Sequence, residues 1–117
     1  IVANNMLSLT SSSSTIYGFY AYQTNKTKIL FNSVNITDGN SSSRCIYQSS
    51  GSGLIIENNN FVNTGGGYAY YVSTPTAIIS SDYNNLYATG NNLAYWQGNK
   101  SSLVVLQSSS GKDANSI

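Results

Sequence analysis

The groups that could do chemistry in this 117-residue chain are four carboxylates, one thiol and ten phenols. Hydrolysis of a glycosidic bond needs two carboxyls held about 5 to 9.5 Å apart. Of Asp38, Glu57, Asp82 and Asp113, only Glu57 and Asp82 fall at comparable places in neighbouring repeats. Two solvated turn residues are the simpler reading of that pair. A calcium site needs about six to eight oxygens, commonly with several carboxylates; no local cluster and no Gly-Gly-x-Gly-x-Asp repeat occurs. With no His and one Cys, a Ser-His-Asp triad and a catalytic zinc site are excluded within this segment. No catalytic residue, metal or cofactor is expected, and the segment is not read as an enzyme.

Cys45 has no partner for an internal disulfide. It reads as a small buried hydrophobe, matching Ala at equivalent repeat positions. Four N-x-Ser/Thr sequons occur, at Asn25, Asn35, Asn40 and Asn99. Sixteen Asn in a chain this rich in Ser and Thr give about four such motifs by chance, so they carry no information.

Only 8% of the residues are charged and the formal net charge is +1, against about 25% charged residues in an ordinary globular domain. Neutral hydroxyls and amides must then keep the surface wet. Five scattered Lys and Arg do not make the basic patch that nucleic acid requires. No apolar run approaches the roughly 18 to 20 residues of a membrane span, so no membrane insertion is expected. No leader is visible, and the chain reads as a mature segment or an excerpt of a longer protein.

The elements that must position these groups come from a repeat. Ala21-Tyr22-Gln23-Thr24, Ile46-Tyr47-Gln48-Ser49, Tyr70-Tyr71-Val72-Ser73 and Tyr95-Trp96-Gln97-Gly98 are versions of one block. Its aromatic falls at Tyr22, Tyr47, Tyr71 and Trp96, and an apolar run begins seven residues after each: Ile29-Leu30-Phe31, Leu54-Ile55-Ile56, Ile78-Ile79 and Leu103-Val104-Val105-Leu106. An Asn-bearing corner follows at Asn32, Asn59 and Asn84, with Asn4-Asn5-Met6 as an earlier copy. Thr37-Asp38-Gly39, Thr64-Gly65-Gly66 and Thr89-Gly90-Asn91 close the unit. Ser-rich excursions at Ser11 to Thr15 and Asn40 to Ser43 both follow the Thr position, so loops are expected at one corner. Ser108 to Ile117 departs from the pattern and predicts an elaborated turn with a short helical piece, then a strand near Ile117.

Units this short, with β-branched and aromatic strands and small polar turns, predict an all-β fold. The architecture expected is a right-handed parallel β-helix of about four coils of 24–27 residues with three short strands each. The whole of 1–117 is one solenoid segment, with coils near 1–15 (partial), 16–43, 44–67, 68–91 and 92–117 (partial). Like residues then stand in vertical files: an aromatic ladder at Tyr22, Tyr47, Tyr71 and Trp96, an amide ladder at Asn32, Asn59 and Asn84, and a hydroxyl file at Thr37, Thr64 and Thr89. If the aromatic ladder faces inward, strand alternation places Ile46, Tyr70 and Tyr95 outward beside Gln48 and Gln97. Inward placement is preferred because Gln is a poor core residue; the opposite facing makes the ladder the exposed row. Tyr70, Tyr95, Ile46, Gln48 and Gln97 are thus the candidate binding surface, suited to carbohydrate or to lateral contact with another chain.

Tyr47 to Phe61 and Ser81 to Tyr87 resemble right-handed parallel β-helix repeat proteins, and more narrowly the repeat regions of large secreted surface proteins of Bacteroidota-like bacteria. Ser110 to Ile117 is similar to the segment that ends such regions. The resemblance implies an extracellular or cell-surface location. Polysaccharide lyases and hydrolases share the wider fold, but their carboxylate clusters have no match here.

Two functions follow as expectations. The first is a structural or adhesive segment, a rod, sheath or filament, partnered by neighbouring domains or by further copies, because strand edges at either end look uncapped. The second is carbohydrate binding or polysaccharide processing, with any catalytic residues lying outside this segment. An ice-binding face is weaker, since the Thr residues make a single file.

Overall fold

A computed structural model describes residues 1–11, 13–37 and 40–117. The chain climbs through four levels of strand. The first is β1 (Val2–Ala3), β2 (Met6–Leu9) and β3 (Tyr17–Tyr22), and the second β4 (Lys28–Leu30), β5 (Ser33–Ile36) and β6 (Arg44–Ser49). The third is β7 (Leu54–Glu57), β8 (Asn60–Asn63) and β9 (Tyr68–Val72), and the fourth β10 (Ile78–Asp82), β11 (Asn85–Ala88) and β12 (Ala94–Trp96). Equivalent strands pair in parallel to form three sheets, β1-β4-β7-β10, β2-β5-β8-β11 and β3-β6-β9-β12. The backbone is a β-solenoid of about three turns with three strands per coil, as the repeat predicts.

Each strand turns alternate side chains into the coil. Val34, Ile36, Phe61, Leu54, Ile56, Ile46, Tyr70 and Val72 are fully buried in the resulting core. The corner between the first and second sheets is built the same way at every level. Asn4, Phe31, Asn58 and Tyr83 take left-handed backbone with φ of 54 to 58°. The residue after each is the amide of the Asn file. Asn32 Nδ2 and its backbone N–H both donate to Asn59 Oδ1 at 3.0 Å, and Asn5 does the same to Asn32 Oδ1. A buried amide so paired satisfies corner N–H groups that the strands cannot reach. In the Thr file, Thr64 Oγ1 donates to Ile36 O at 3.3 Å and Thr89 Oγ1 to Thr64 O at 2.9 Å. Of the closing turns, Asp38 and Gly39 lie outside the described residues, as does Ser12 in the first Ser-rich excursion.

The registers correct the alignment of the aromatic block. Partners stand 27 residues apart as far as Val34 and Phe61, so Tyr20, not Tyr22, pairs with Tyr47. The offset drops to 24 at Tyr47 and Tyr71, because the preceding loop shortens from seven residues after Ile36 to four after Asn63. At the fourth level Tyr95 pairs with Tyr71 and Trp96 with Val72. Trp96 therefore sits one residue out of the aromatic file, and in a strand one residue means the opposite face. It is buried, whereas Tyr22 is 52% exposed. The first apolar run also moves, since Ile29 pairs with Ile56 and not Leu54.

The last apolar run is not a strand. Leu103–Ser110 is a helix, α1, whose N-cap Ser102 Oγ accepts from Val105 N and whose C-cap Gly111 has φ of 67°. A serine cap and a left-handed glycine are strong helix boundary signals, and they override the β-branched pair Val104-Val105, which is left exposed. Before it, β13 (Asn99–Lys100) turns back and pairs antiparallel with β12. That covers the β12 edge expected to be bare. The chain then rejoins the coil path: Asp113 N donates to Ser81 O, and Ser116 Oγ accepts from Asn84 N at 2.9 Å, taking the next place in the amide file.

Candidate functional site

The outward face of the third sheet carries most of the tyrosines. Tyr20, Tyr47, Tyr71 and Tyr95 lie in register on β3, β6, β9 and β12. Successive ring centroids are 5.0, 5.4 and 4.4 Å apart, and the planes of Tyr71 and Tyr95 are within 8° of parallel. The file is thus a true aromatic ladder, but it stands outside the coil. Ring faces are spent on one another along the axis, which leaves a row of phenol edges and hydroxyls toward solvent. Tyr17 and Tyr68 meet the row edge-on, Tyr17 against Tyr20 and Tyr47, Tyr68 against Tyr71.

Arg44 lies among these rings. Its guanidinium carbon is 4.3 Å from the Tyr71 centroid and 5.5 to 5.9 Å from those of Tyr17, Tyr47 and Tyr68. Cation–π attraction of this kind contributes about 0.5 to 2 kcal/mol. Nη1 donates to Ser42 O at 2.7 Å and to Tyr17 Oη at 3.2 Å, while the buried Nε has no hydrogen-bond partner among the described residues. Burial pushes the Tyr71 phenol up despite the opposing Arg44 charge, so it stays a neutral hydroxyl at physiological pH.

Beside the ladder, where the loops from the second sheet enter the third, lies a cavity of about 350 Å³. Arg44, Tyr68, Tyr71 and Tyr95 form one wall; Ser42, Asn91, Asn92 and Asn99 supply neutral polar groups. Tyr68 Oη donates to Asn99 Oδ1 at 3.0 Å, which fixes that ring against the antiparallel strand β13. The expected corner for loops is therefore also the wall of the cavity.

The surface read from the sequence divides. Tyr95 faces outward in the ladder and Gln97 is exposed. Tyr70, Ile46 and Gln48 are not surface residues: each is fully buried. Tyr70 fills the core and its hydroxyl donates a hydrogen bond to Ser81 Oγ at 3.0 Å. Gln48 tolerates the interior because Nε2 donates to Ser50 O at 2.7 Å and Oε1 accepts from Thr74 N at 3.2 Å. The residues missed from the sequence are Tyr20, Tyr17, Tyr68 and Arg44. The 27-, 24- and 24-residue spacing of Tyr20, Tyr47, Tyr71 and Tyr95 was the signal that could have found the first.

Glu57 and Asp82 are register partners on β7 and β10. Each carboxylate is engaged locally: Glu57 accepts from Ser80 Oγ, and Asp82 from Tyr83 N, Asn115 N and Asn115 Nδ2. Desolvation works to raise Asp82, but the hydrogen bonds from Asn115 and Tyr83 outweigh it and hold the carboxyl below its ordinary value. A glycosidase acid needs the opposite shift. Cys45 is buried between Gly18 and Ala69 in register, donates to Val62 O, and burial pushes its thiol up to about 12. Among the described residues no group of His, Cys, Asp and Glu gathers as a metal site, and no helix is long and apolar enough to cross a membrane.

Compared with family models, curated proteins and solved structures, the chain matches none.

Proposed function

We propose that this chain is an adhesive β-solenoid segment of an extracellular surface protein, and that the tyrosine face of its third sheet binds polysaccharide. One observation carries the reading: Tyr20, Tyr47, Tyr71 and Tyr95 project outward in a single file, one phenol per coil, beside a cavity lined with amides and hydroxyls. Strand spacing sets the row's repeat at about 4.8 Å, comparable with the length of a pyranose unit. A sugar chain lying along the axis would meet the same donor and acceptor at each step. Tyr is suited to this work because a rigid apolar ring and a polar tip order little entropy on binding.

The scaffold part of the proposal rests on the coil itself. Each level contacts its neighbours, so length is added without a new core, and low charge avoids stacking like charges a strand apart. A rod or filament within a large secreted protein of the Bacteroidota type is the setting these features suit, and the resemblance of Tyr47 to Phe61 adds to it.

The test is glycan binding measured by calorimetry over a panel of neutral and acidic oligosaccharides, with Tyr95→Ala and Tyr20→Ala against Tyr87→Ala, an exposed residue of the second sheet. Loss of about tenfold in affinity for the first two, with Tyr87→Ala unchanged, is the expected result. Equal affinity in all three removes the tyrosine face from the proposal.

A further inference from the structure

The cavity beside the ladder has a feature that a neutral sugar does not need. Its lining holds one charge, Arg44, and no carboxylate among the described residues. The described carboxylates, Glu57, Asp82 and Asp113, belong to β7, β10 and the segment after α1, and their hydrogen-bond partners are all local to those elements. A half-buried guanidinium with no carboxylate beside it among the described residues is unusual, because removing a charge from water is costly unless it is paired. Here the four tyrosine rings offset part of that cost.

The guanidinium is also held in place. Nη1 is fixed by Ser42 O and Tyr17 Oη, and the buried Nε has no hydrogen-bond partner among the described residues. A planar cation held by Nη1 and packed among rings at the wall of a cavity is preorganised to bind an anion. Around it the lining is Asn91, Asn92, Asn99 and the Tyr68 and Tyr95 phenols. These match hydroxyls, not further negative charge, so the ligand carries one isolated anionic group on a polyhydroxylated body.

We propose that this cavity selects a carboxylate-bearing sugar unit of a polysaccharide, with Arg44 as the group that pairs with the carboxylate. The inference rests on the polysaccharide-binding reading above and narrows it to uronic-acid-type units. A charge-assisted pair contributes more than a neutral hydrogen bond, which corresponds to a preference of about tenfold or more. The pair is also weakened by salt.

The experiment uses two probes: an oligosaccharide of uronic acid units, and the same oligosaccharide with its carboxyls reduced to primary alcohols. The wild-type chain is expected to bind the acid form about tenfold more tightly, with the difference shrinking as salt is added. Arg44→Gln is expected to abolish the preference and Arg44→Lys to keep part of it, since Lys retains the charge without the planar fork. Equal wild-type affinity for the two probes overturns this inference and leaves the polysaccharide reading standing. An acid preference that survives in Arg44→Gln overturns it too, because another cation must then supply the charge. No binding of either probe, or of any neutral glycan, removes the parent reading along with it. Should Arg44→Gln fail to fold, the wild-type comparison and Arg44→Lys decide the matter.

Discussion

Asn84 Oδ1 accepts both the backbone N–H of Asn59, at 3.0 Å, and the Asn59 side-chain amide, at 3.1 Å. The same two-donor arrangement joins Asn32 to Asn59 one coil away. Each Asn also returns its Nδ2 to a strand carbonyl: Asn32 to Val2 O, Asn59 to Ile29 O and Asn84 to Ile56 O. One residue type thus ties the first sheet to the second at every level. Its short side chain, fixed after a left-handed corner residue, is what makes the geometry repeat.

Removing one rung leaves several groups stranded at once. Asn59→Ala strips Asn32 N and Nδ2 of their acceptor and leaves Ile29 O and Glu57 O without their amide donor. Unsatisfied buried groups cost about 1 to 3 kcal/mol each before relaxation. A loss of about 3 kcal/mol is expected in urea unfolding, against about 1 kcal/mol or less for Asn5→Ala at the exposed end of the file. Similar losses at the two positions count against the ladder as the corner's main support.

The cavity floor depends on a close backbone approach. A Cβ on Gly67 would lie 2.1 Å from Ser43 O and 2.8 Å from Asn63 Nδ2, so coils two and three must part to admit it. Gly67→Ala is expected to lower stability by about 1 to 3 kcal/mol and to weaken glycan binding through the displaced Tyr68. Thermal unfolding and calorimetry on one preparation check both. Unchanged melting shows that the coils can separate freely there.

Two carboxylates give the fold opposite responses to pH. Asp113 is buried, its Oδ1 accepting from Ser81, Asn84 and Ser116 while Oδ2 has no partner among the described residues. Desolvation is the largest influence and raises its carboxyl above the ordinary 3.8, against those hydrogen bonds. A raised acid contributes stability that is present below 3.8 and lost as pH climbs through the folded value. Asp82, held low by Asn115 and Tyr83, contributes stability present above 3.8 and lost as pH falls through its folded value. Melting temperature should therefore fall as pH rises above 3.8 through the folded value of Asp113, and Asp113→Asn should remove that fall. A wild-type profile that rises over this window contradicts the assignment.

How much of this was legible from residues alone depends on what fixed each feature. The Asn, Thr and loop positions recur at nearly constant spacing because corners demand particular residue types, Asn for its amide and for the positions where the chain turns. Those files, and the three-strand coil they imply, follow from sequence. The aromatic block was harder. Tyr20 and Tyr22 lie two apart on the same face, so a slip between them leaves the file on one face; the inward facing preferred for that file is the error, since Tyr20 and Tyr22 are exposed while Ile46, Gln48 and Tyr70 are buried. Tyr95 and Trp96 lie one apart, and there the slip exchanged an outward phenol for a buried indole. Polarity and strand alternation put Gln48 and Tyr70 outside; in the fold Ser50 and Thr74 meet the Gln48 amide and Ser81 meets the Tyr70 hydroxyl, partners that the local sequence does not show.

Leu103 to Leu106 made the converse point. Its apolar pattern fits strand or helix, and the deciding residues, Ser102 and Gly111, lie at its ends. What the sequence determined by itself is the pitch: residues of like kind recur at intervals set by one circuit of the backbone, so they must stack. What tertiary structure alone decided is facing and charge environment. A one-residue change in loop or bulge length leaves the repeat readable yet reverses which side chains meet water, and the siting of Arg44 among four tyrosine rings comes from three different coils that no local stretch of sequence brings together.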